Sequence, residues 1–308
     1  MLPGEHARFE MPVAVLPTQT QLHFPVTVLN GLRPGPRLWV NAAIHGDELN
    51  GVEVIARTIS RIQGPLLRGA LVAVPIVNGF GFLQGSRYLP DRRDLNRSFP
   101  GSPRGSLASR VAHIFMTEIV ERCTYGIDIH TAASERDNYP HTRCDLDDSE
   151  TRRIAEAFRA PVMVHSAVRD GSLRGAARKR DIPVLVYEAG QARRFDEVAV
   201  ETGTRGLMGV LRELGMVGRR QRTNRLPSAE IRSSSWVRAR CGGILRLFVR
   251  PGEWVEKQQL LGTVADPFGD EQKAVRAPFA GVVIGIDRNP VVHGGDAVVH
   301  VGRPSAEG

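Results

Sequence analysis

The segment LWVNAAIHGDELNGVEVIARTISRI, residues 38–62, combines a strand, a short turn and a helix. Leu38–Ile44 is almost entirely apolar, which predicts a strand buried on both faces, and residues 49–62 are predicted to form a helix. His45 and Glu48 lie between the two elements, three positions apart, where the apolar run ends. Two polar side chains at this point indicate either the capped start of a helix or half of a metal site.

The same alternation of apolar strands and helical segments continues to about residue 214. Further strands are predicted at residues 70–77, 125–130, 161–165 and 183–188, and further helices at residues 106–123 and 196–214. Fully apolar strands separated by helices predict an α/β fold with a mostly parallel sheet sandwiched by helices. Residues 78–105 show little periodicity, and a loop of this length inside a compact domain is usually functional.

The composition changes after about Arg220. From Trp236 onward, short alternating runs punctuated by Gly and Pro predict an all-β, barrel-like module. Its hairpins and the sequence APFAG resemble a biotinyl or lipoyl carrier domain, but Lys273 is too close to that sequence to be the modified lysine of a carrier. The predicted organisation is one α/β domain at residues 1–225, followed by a lipoyl-like β module at residues 226–308.

Composition and charge argue against several classes of function. The formal net charge is +8, but only three of the 41 basic residues are lysines, and the arginines are spread along the chain. This skew fits a GC-rich genome better than a nucleic-acid-binding surface, although a basic surface favours small anionic substrates. No apolar run approaches the ~20 residues that span a bilayer, and the N-terminus does not resemble a secretory signal. Widely spaced cysteines give no disulfide framework. We therefore expect a cytoplasmic protein without nucleic-acid or membrane partners, and a homo-oligomer stays open.

Polar side chains stand at the ends of three predicted strands. His45 follows the first strand, Glu48 lies in the turn after it, and His130 ends the strand at residues 125–130. Because ligand sites in open α/β sheets gather at the carboxyl ends of strands, these three side chains would form a zinc site with an open fourth position. Glu188 ends another strand, where burying a glutamate without a function is costly. Beside a zinc-bound water it would serve as the general base.

The long loop supplies further candidates. Asn96 and Arg97 offer an amide and a bidentate cation, which suit the binding of a carboxylate. Arg87 could place a positive charge where an oxyanion develops. Arg92 and Arg93 are alternatives for the same role.

Four motifs, HGDE, DLNRSFPG, GIDIHTA and YEAG, follow one another in an order that resembles the succinylglutamate desuccinylase/aspartoacylase family of zinc enzymes, relatives of the zinc carboxypeptidases. The resemblance covers most of the chain, including the β module. It implies a carboxypeptidase-like domain that binds one zinc ion through His45, Glu48 and His130. The remaining matched positions imply Glu188 as the catalytic carboxylate, Asn96 and Arg97 as the substrate-carboxylate site, and Arg87 as the oxyanion-stabilising arginine.

Three other residues lie near these motifs. His141 and Arg143 follow the strand that ends at His130, and both are candidate substrate contacts. Asp128 stands two positions before His130, so it points the same way from the strand. It is either a residue that orients the metal ligand or a structural polar residue.

Together these observations predict a zinc-dependent hydrolase that cleaves the amide bond of a small anionic N-acyl amino acid or related N-acylated amine, with the β module as a cap that narrows the site. Two alternatives stay open. A metallocarboxypeptidase would act on peptides, although a cap over the cleft would exclude long ones. A non-catalytic carrier or binding protein would be a decayed enzyme, although the zinc ligands and Glu188 are intact.

Overall fold

A computed structural model describes residues 1–218 and 227–305 of the chain. Within these ranges the helices are α1 (Asn50–Arg61), α2 (Gly79–Gln84), α3 (Leu107–Glu118), α4 (Ser149–Phe158), α5 (Leu173–Arg178) and α6 (Glu197–Glu213). The strands are β1 (His6–Val15), β2 (Gln21–Asn30), β3 (Arg37–Ala42), β4 (Ala70–Val74), β5 (Tyr125–His130), β6 (Arg136–Cys144), β7 (Val162–His165), β8 (Val184–Gly190), β9 (Ala229–Arg238), β10 (Gly243–Leu247), β11 (Trp254–Val255), β12 (Leu260–Ala265), β13 (Gln272–Arg276), β14 (Gly281–Asp287), β15 (Val291–Val292) and β16 (Ala297–Pro304). The predicted domain junction at residues 225 and 226 falls outside the described residues.

The sheet is mixed rather than mostly parallel as predicted. Its strand order is β1-β2-β4-β3-β5-β8-β6-β7-β9-β16-β14-β11. Strands β4, β3, β5 and β8 form a parallel block. On one side of this block, β2 pairs antiparallel with β4 and with β1. On the other side, β6 pairs antiparallel with β8 and parallel with β7.

The unpredicted strands explain this difference. The five predicted apolar strands correspond to β3, β4, β5, β7 and β8, whereas β1, β2 and β6 were not predicted. Strand β6 reads RDNYPHTRC, and β1 is largely exposed to solvent. Strand β1 has a solvated face, and β6 is rich in polar residues although most of them are buried or half-buried, so a search for continuous apolar runs does not detect these strands.

Helices lie on both faces of the sheet. Successive residues of β3 point to opposite faces, and Val40 packs in one buried apolar cluster with α1, α4 and α6. Trp39 packs in a second cluster with α3 and α5. Residues 78–105, which were predicted to form a loop, contain α2 and a 3₁₀ turn at Leu95–Arg97 on the second face. None of the described helices has both the length and the apolar character needed to cross a membrane.

The C-terminal segment has its own apolar core, which lies between two sheets. Strands β9, β16, β14 and β11 continue the large sheet, and β13, β12, β10 and β15 form a separate four-stranded sheet. Buried side chains between them include Leu261, Val283 and Val299. Two backbone pairings join this segment to the α/β part, β9 with β7 and β14 with β6. The β module therefore shares one hydrogen-bonded sheet with the α/β part.

The contact between Trp39 and Gly126 gives a test of this packing. The two residues are paired in β3 and β5, Trp39 is completely buried, and a Cβ atom at position 126 would lie 2.1 Å from the indole ring. We expect Gly126→Ala to lower the free energy of unfolding by about 1–3 kcal/mol, because a well-packed core cannot accept the added methyl group without displacing the ring. Denaturant unfolding measures this change. Gly218→Ala is the control, since a Cβ atom there meets nothing within 4 Å. Equal stability of the two variants would contradict the packing of Trp39.

Candidate active site

The three predicted metal ligands meet at one point. His45 Nδ1 lies 2.7 Å from one carboxylate oxygen of Glu48, and His130 Nδ1 lies 2.8 Å from the other. Their ligand atoms lie within 4.8 Å of one another, and all three residues are buried. The amide N–H of Thr131 also donates to Glu48, at 3.1 Å. Both imidazoles thus present Nδ1 toward the same small volume.

The turn that carries His45 and Glu48 is tightly packed. Gly46 lies against the start of α2, where an added Cβ atom would be 1.9 Å from the carbonyl carbon of Gly81. No side chain fits in that space, so the sequence HGDE requires glycine at its second position. This close contact holds α2 beside the turn. It also fixes the backbone between the two ligands.

Hydrogen bonds on the far side of each imidazole orient the rings. His130 Nε2 lies 2.9 Å from Asp128 and His45 Nε2 lies 3.1 Å from Asp94. The side-chain amide of Asn41 donates to Asp128 at 2.7 Å. The side-chain oxygen of Asn41 in turn accepts from the Trp39 indole N–H at 2.9 Å. Carboxylates that bind the outer nitrogen of a histidine are typical of metal sites, because they fix the tautomer and the ring orientation. Asp128 therefore contacts the outer nitrogen of His130, which fits the first of the two roles left open for it, that of orienting this histidine.

The charges of His45, Glu48 and His130 shift one another's pKa values. Burial alone would raise the pKa of Glu48, but the charges and hydrogen bonds of His45 and His130 outweigh it and hold this pKa well below its usual range. Burial would lower the pKa of His130, but Asp128 and Glu48 raise it well above the ordinary value. The pKa of His45 is raised in the same way, since Glu48 and Asp94 outweigh burial.

The donor set fits a divalent metal ion. Two imidazole nitrogens and one carboxylate oxygen are the ligands that catalytic zinc sites use, with a further position left for water or substrate. A buried carboxylate between two imidazoles also supplies the negative charge that a divalent cation needs. Residues His45, Glu48 and His130 could therefore hold such an ion.

Glu188 stands beside this group. Glu188 of β8 pairs with His130 of β5, and the side chain of Glu188 is 15% exposed. One carboxylate oxygen lies 3.4 Å from Arg143 Nη1 and the other lies 3.3 Å from Asn138 Nδ2. Burial raises the pKa of Glu188, although Arg143 and His130 oppose the effect. A carboxylate with a raised pKa binds a proton more readily than one that is fully solvated.

Of the three arginines considered for the oxyanion role, the structure brings Arg87 to the site. Its Nη1 lies 3.2 Å from His45 Nδ1 and 3.5 Å from Glu48, and Asp94 holds its guanidinium at 2.9 Å. Arg93 is 64% exposed and lies 3.9 Å from Asp91, and Arg92 is also exposed. Asp94 was not among the predicted residues, although it directly precedes the LNR sequence of the loop.

Asn96 and Arg97 lie on the 3₁₀ turn that follows Asp94. The side-chain oxygen of Asn96 accepts from the Leu173 amide at 2.9 Å, which leaves its amide nitrogen for another partner. Burial lowers the pKa of Arg97, Asp94 raises it, and the neighbouring charges of Arg169, Arg87 and Arg143 lower it further. The Arg97 guanidinium donates to the Asn96 carbonyl oxygen. This cluster of arginines favours an anion.

His141 and Arg143 both lie on β6, beside Glu188. His141 pairs with Glu188 in the sheet, and its Nδ1–H donates to the Tyr139 carbonyl oxygen at 2.8 Å. Burial lowers the pKa of His141 to about 3, with further lowering by Arg143 and His300, so its imidazole is neutral at pH 7. Arg143 is 46% exposed and reaches Glu188. The structure thus brings both residues to the site.

A second group of metal-ligating residues is less suitable. Asp145, Asp147 and His165 also place ligand atoms within 4.8 Å of one another. However, Asp145 is engaged by Arg178, and Asp147 is 65% exposed and engaged by Arg232. Two of the three ligands would therefore have to exchange an arginine partner for the metal, at a position that is open to solvent.

Known proteins are similar to this chain in sequence. The model of the succinylglutamate desuccinylase/aspartoacylase catalytic domain matches residues 34–214. The chain is 27% identical over 253 residues to the N-alpha-acetyl-L-2,4-diaminobutyric acid deacetylase of Halomonas elongata, covering 79% of this chain and 74% of that protein.

Two solved structures are similar over almost their whole length. A succinylglutamate desuccinylase/aspartoacylase from Rhodobacter sphaeroides superposes with a TM-score of 0.84 and 25% identity, covering 98% of this chain and 96% of that chain. The product-bound ectoine utilization protein EutE (DoeB) of Ruegeria pomeroyi superposes with a TM-score of 0.85 and 25% identity, covering 97% of this chain and 94% of that one. The similarity extends into the β module, beyond the residues of the family model.

Replacing Asp128 tests whether the three-residue group binds the metal. We expect Asp128→Ala to weaken Zn²⁺ binding by about 10- to 100-fold, because the outer hydrogen bond that orients His130 is lost. Competition with a chromophoric chelator measures the affinity. Asp145→Ala is the matched control from the second cluster and should leave the affinity unchanged. If Asp145→Ala weakened Zn²⁺ binding and Asp128→Ala did not, the metal would instead be bound by Asp145, Asp147 and His165.

Proposed function

This chain belongs to the succinylglutamate desuccinylase/aspartoacylase family, and we propose that it is a zinc-dependent hydrolase that cleaves the amide bond of a small N-acyl amino acid or related N-acylated amine. The family and the named deacetylase relative support an amide-hydrolysing deacylase. The observation that carries the proposal is the convergence of His45, Glu48 and His130 next to the partly buried carboxylate of Glu188. We also propose that the α/β part has a zinc carboxypeptidase-like fold.

The metal and Glu188 have separate tasks. Zn²⁺ held by the three ligands would polarise the amide carbonyl and lower the pKa of its water toward ~7. Glu188 accepts a proton from the attacking water as the oxygen adds to the carbonyl carbon. It then delivers this proton to the nitrogen of the leaving amine as the C–N bond breaks. Burial of Glu188, which raises its pKa, suits a group that must both accept and release a proton.

Basic residues around the site bind the negative charges of the reaction. Arg87 lies beside His45 and is held there by Asp94, so it is placed to stabilise an oxyanion that forms next to the metal. Arg97, together with the side-chain amide nitrogen of Asn96, would bind a substrate carboxylate in a bidentate manner. Arg143 and His141 would line the remaining edge of the substrate site along β6. A small anionic substrate is favoured by all of these groups.

The β module narrows the site in this proposal. It pairs with β6, the strand that carries His141 and Arg143, and therefore lies next to the substrate site. A restricted site favours a small N-acyl compound over the peptides of a metallocarboxypeptidase. Attachment of a carrier group is disfavoured, because Lys273 lies within β13, paired with Val264, rather than at the tip of the hairpin.

Release of primary amine from a panel of acylated compounds tests the proposed activity. The panel contains Nα-acetyl-L-2,4-diaminobutyrate, N-acetylaspartate, N-succinylglutamate and a hexapeptide, each incubated with the Zn²⁺-loaded chain. We expect hydrolysis of at least one small N-acyl compound, because the site offers ligands for a metal, a carboxylate that can act as a base and an arginine for the substrate carboxylate. Cleavage of the hexapeptide alone would favour a carboxypeptidase. Inactivity of a chain that also fails to bind Zn²⁺ would favour a non-catalytic protein.

The role of Glu188 is tested by Glu188→Gln. We expect kcat to fall by about 10²- to 10⁴-fold, because an amide cannot take up the proton of the attacking water. Zinc content should remain that of the unmodified chain, since Glu188 is not a ligand. Glu10→Gln, in exposed β1, is the matched control and should be fully active. Near-normal turnover by Glu188→Gln would rule out this residue as the base.

A further inference from the structure

Within residues 1–218 and 227–305, the two side-chain hydrogen bonds to the Glu188 carboxylate come from the same strand, β6. Arg143 reaches one oxygen at 3.4 Å, and Asn138 donates from Nδ2 to the other at 3.3 Å. Arg143 is long and 46% exposed, so it supplies charge without a fixed direction. Asn138 is short and half-buried, so its position follows that of the backbone. It is the contact that can define the direction of the carboxylate.

A register shift in β6 places Asn138 on the same face of the sheet as Glu188. Asn138 pairs with Gly190 and His141 pairs with Glu188, so three steps along β6 correspond to two steps along β8. In a regular strand, residues three positions apart point to opposite faces. The extra residue, as in a β-bulge, turns both side chains to one face, and bulges near active sites commonly redirect a side chain in this way.

The β module contacts Asn138 from the other side. Gly285 of β14 pairs with Asn138, and a Cβ atom at position 285 would lie 2.6 Å from Oδ1 of Asn138. The amide therefore lies between Gly285 and Glu188, with its oxygen toward the glycine and its nitrogen toward the carboxylate. Any side chain at position 285 would have to displace the amide or move the strand.

Further bonds hold this pairing in place. The Arg288 amide donates to the Glu135 carbonyl oxygen at 2.6 Å, and the Arg288 guanidinium lies 2.6 Å from the Asp137 carboxylate. Asp137 is buried and also accepts from Gln191 at 3.1 Å, just after β8. The positions of β14, β6 and β8 around Asn138 are therefore linked by side chains as well as by the backbone.

We propose that Asn138 is a positioning residue that aligns the Glu188 carboxylate, and that the absence of a side chain at Gly285 lets the β module hold Asn138 in that alignment. The inference rests on the proposed role of Glu188 as the base. It assigns the β module a part in turnover that differs from narrowing the site, because the module acts through β6 on the direction of one carboxylate oxygen.

A double-mutant cycle on the Zn²⁺-loaded full chain tests the inference. Asn138→Ala removes a hydrogen bond to a charged group, and we expect kcat to fall by about 10- to 100-fold with KM within about twofold. Gly285→Ala should lower kcat in the same direction, because its methyl group displaces the amide. The two changes combined should be no worse than Asn138→Ala alone, since the methyl group then has no amide to displace.

Control measurements separate alignment from folding. Gly294→Ala makes the same substitution in the same module, where the nearest atom to the new methyl group is 3.6 Å away, and it should leave kcat unchanged. Zinc content and thermal unfolding are measured for every variant. A defect that is merely structural would change these quantities or KM, whereas misalignment of Glu188 changes kcat.

Three outcomes would overturn the inference. Unchanged kcat in Asn138→Ala, with the unmodified chain active, would remove Asn138 from the alignment of Glu188 while leaving the proposed function intact. Additive effects of Asn138→Ala and Gly285→Ala would show that the glycine acts by another route. Inactivity of the unmodified chain on every panel compound would refute the proposed function, and the role of Asn138 would fall with it.

Discussion

The buried carboxylate of Glu48 between two imidazoles is the interaction on which the rest of the site depends. Each of its oxygens contacts one Nδ1 atom, and a charged group of this kind is stable in the interior only when it is fully partnered. The outer nitrogens must therefore also be satisfied, which Asp94 and Asp128 achieve. A continuous path of hydrogen bonds runs from the core indole of Trp39 to the loop arginine Arg87. A displacement of Trp39 would therefore extend along this path to His45, Glu48 and His130.

The mixed sheet gives this site two different kinds of support. The parallel block delivers the ligands and Glu188 to one edge, because the carboxyl ends of parallel strands lie side by side. The antiparallel β6 runs back past that edge, so several of its side chains line it in succession. In a purely parallel sheet, each neighbouring strand would contribute to the site only the residues at its carboxyl end. The reversed strand accounts for the presence of Asn138, His141 and Arg143 beside a single carboxylate.

The sequence predicted the parts of the site that rest on local pattern. His45, Glu48, His130 and Glu188 each follow or end an apolar run, so their meeting at one edge could be inferred from strand order alone.

Asp94 and Asn138 could not be found in this way, because their roles depend on long-range partners and on a register shift that no local pattern encodes. The mixed sheet was missed for the same reason: β6 is polar, and its position is fixed by pairing with β8 and β14. Residue type and spacing do not distinguish Arg87 from Arg92 and Arg93, whereas the family resemblance and the folded loop both do.

The shared hydrogen-bond ladder between the α/β part and the β module has a consequence for dissecting the chain. The family model ends at residue 214, yet β9 and β14, which pair with β7 and β6, lie beyond it, and β2, which pairs with β4, lies before residue 34. A fragment cut to residues 34–214 would expose unpaired backbone on both sides of its sheet, and open strand edges promote association between chains. The unit that can be expressed, crystallised or transplanted is therefore longer than the segment that carries the catalytic motifs.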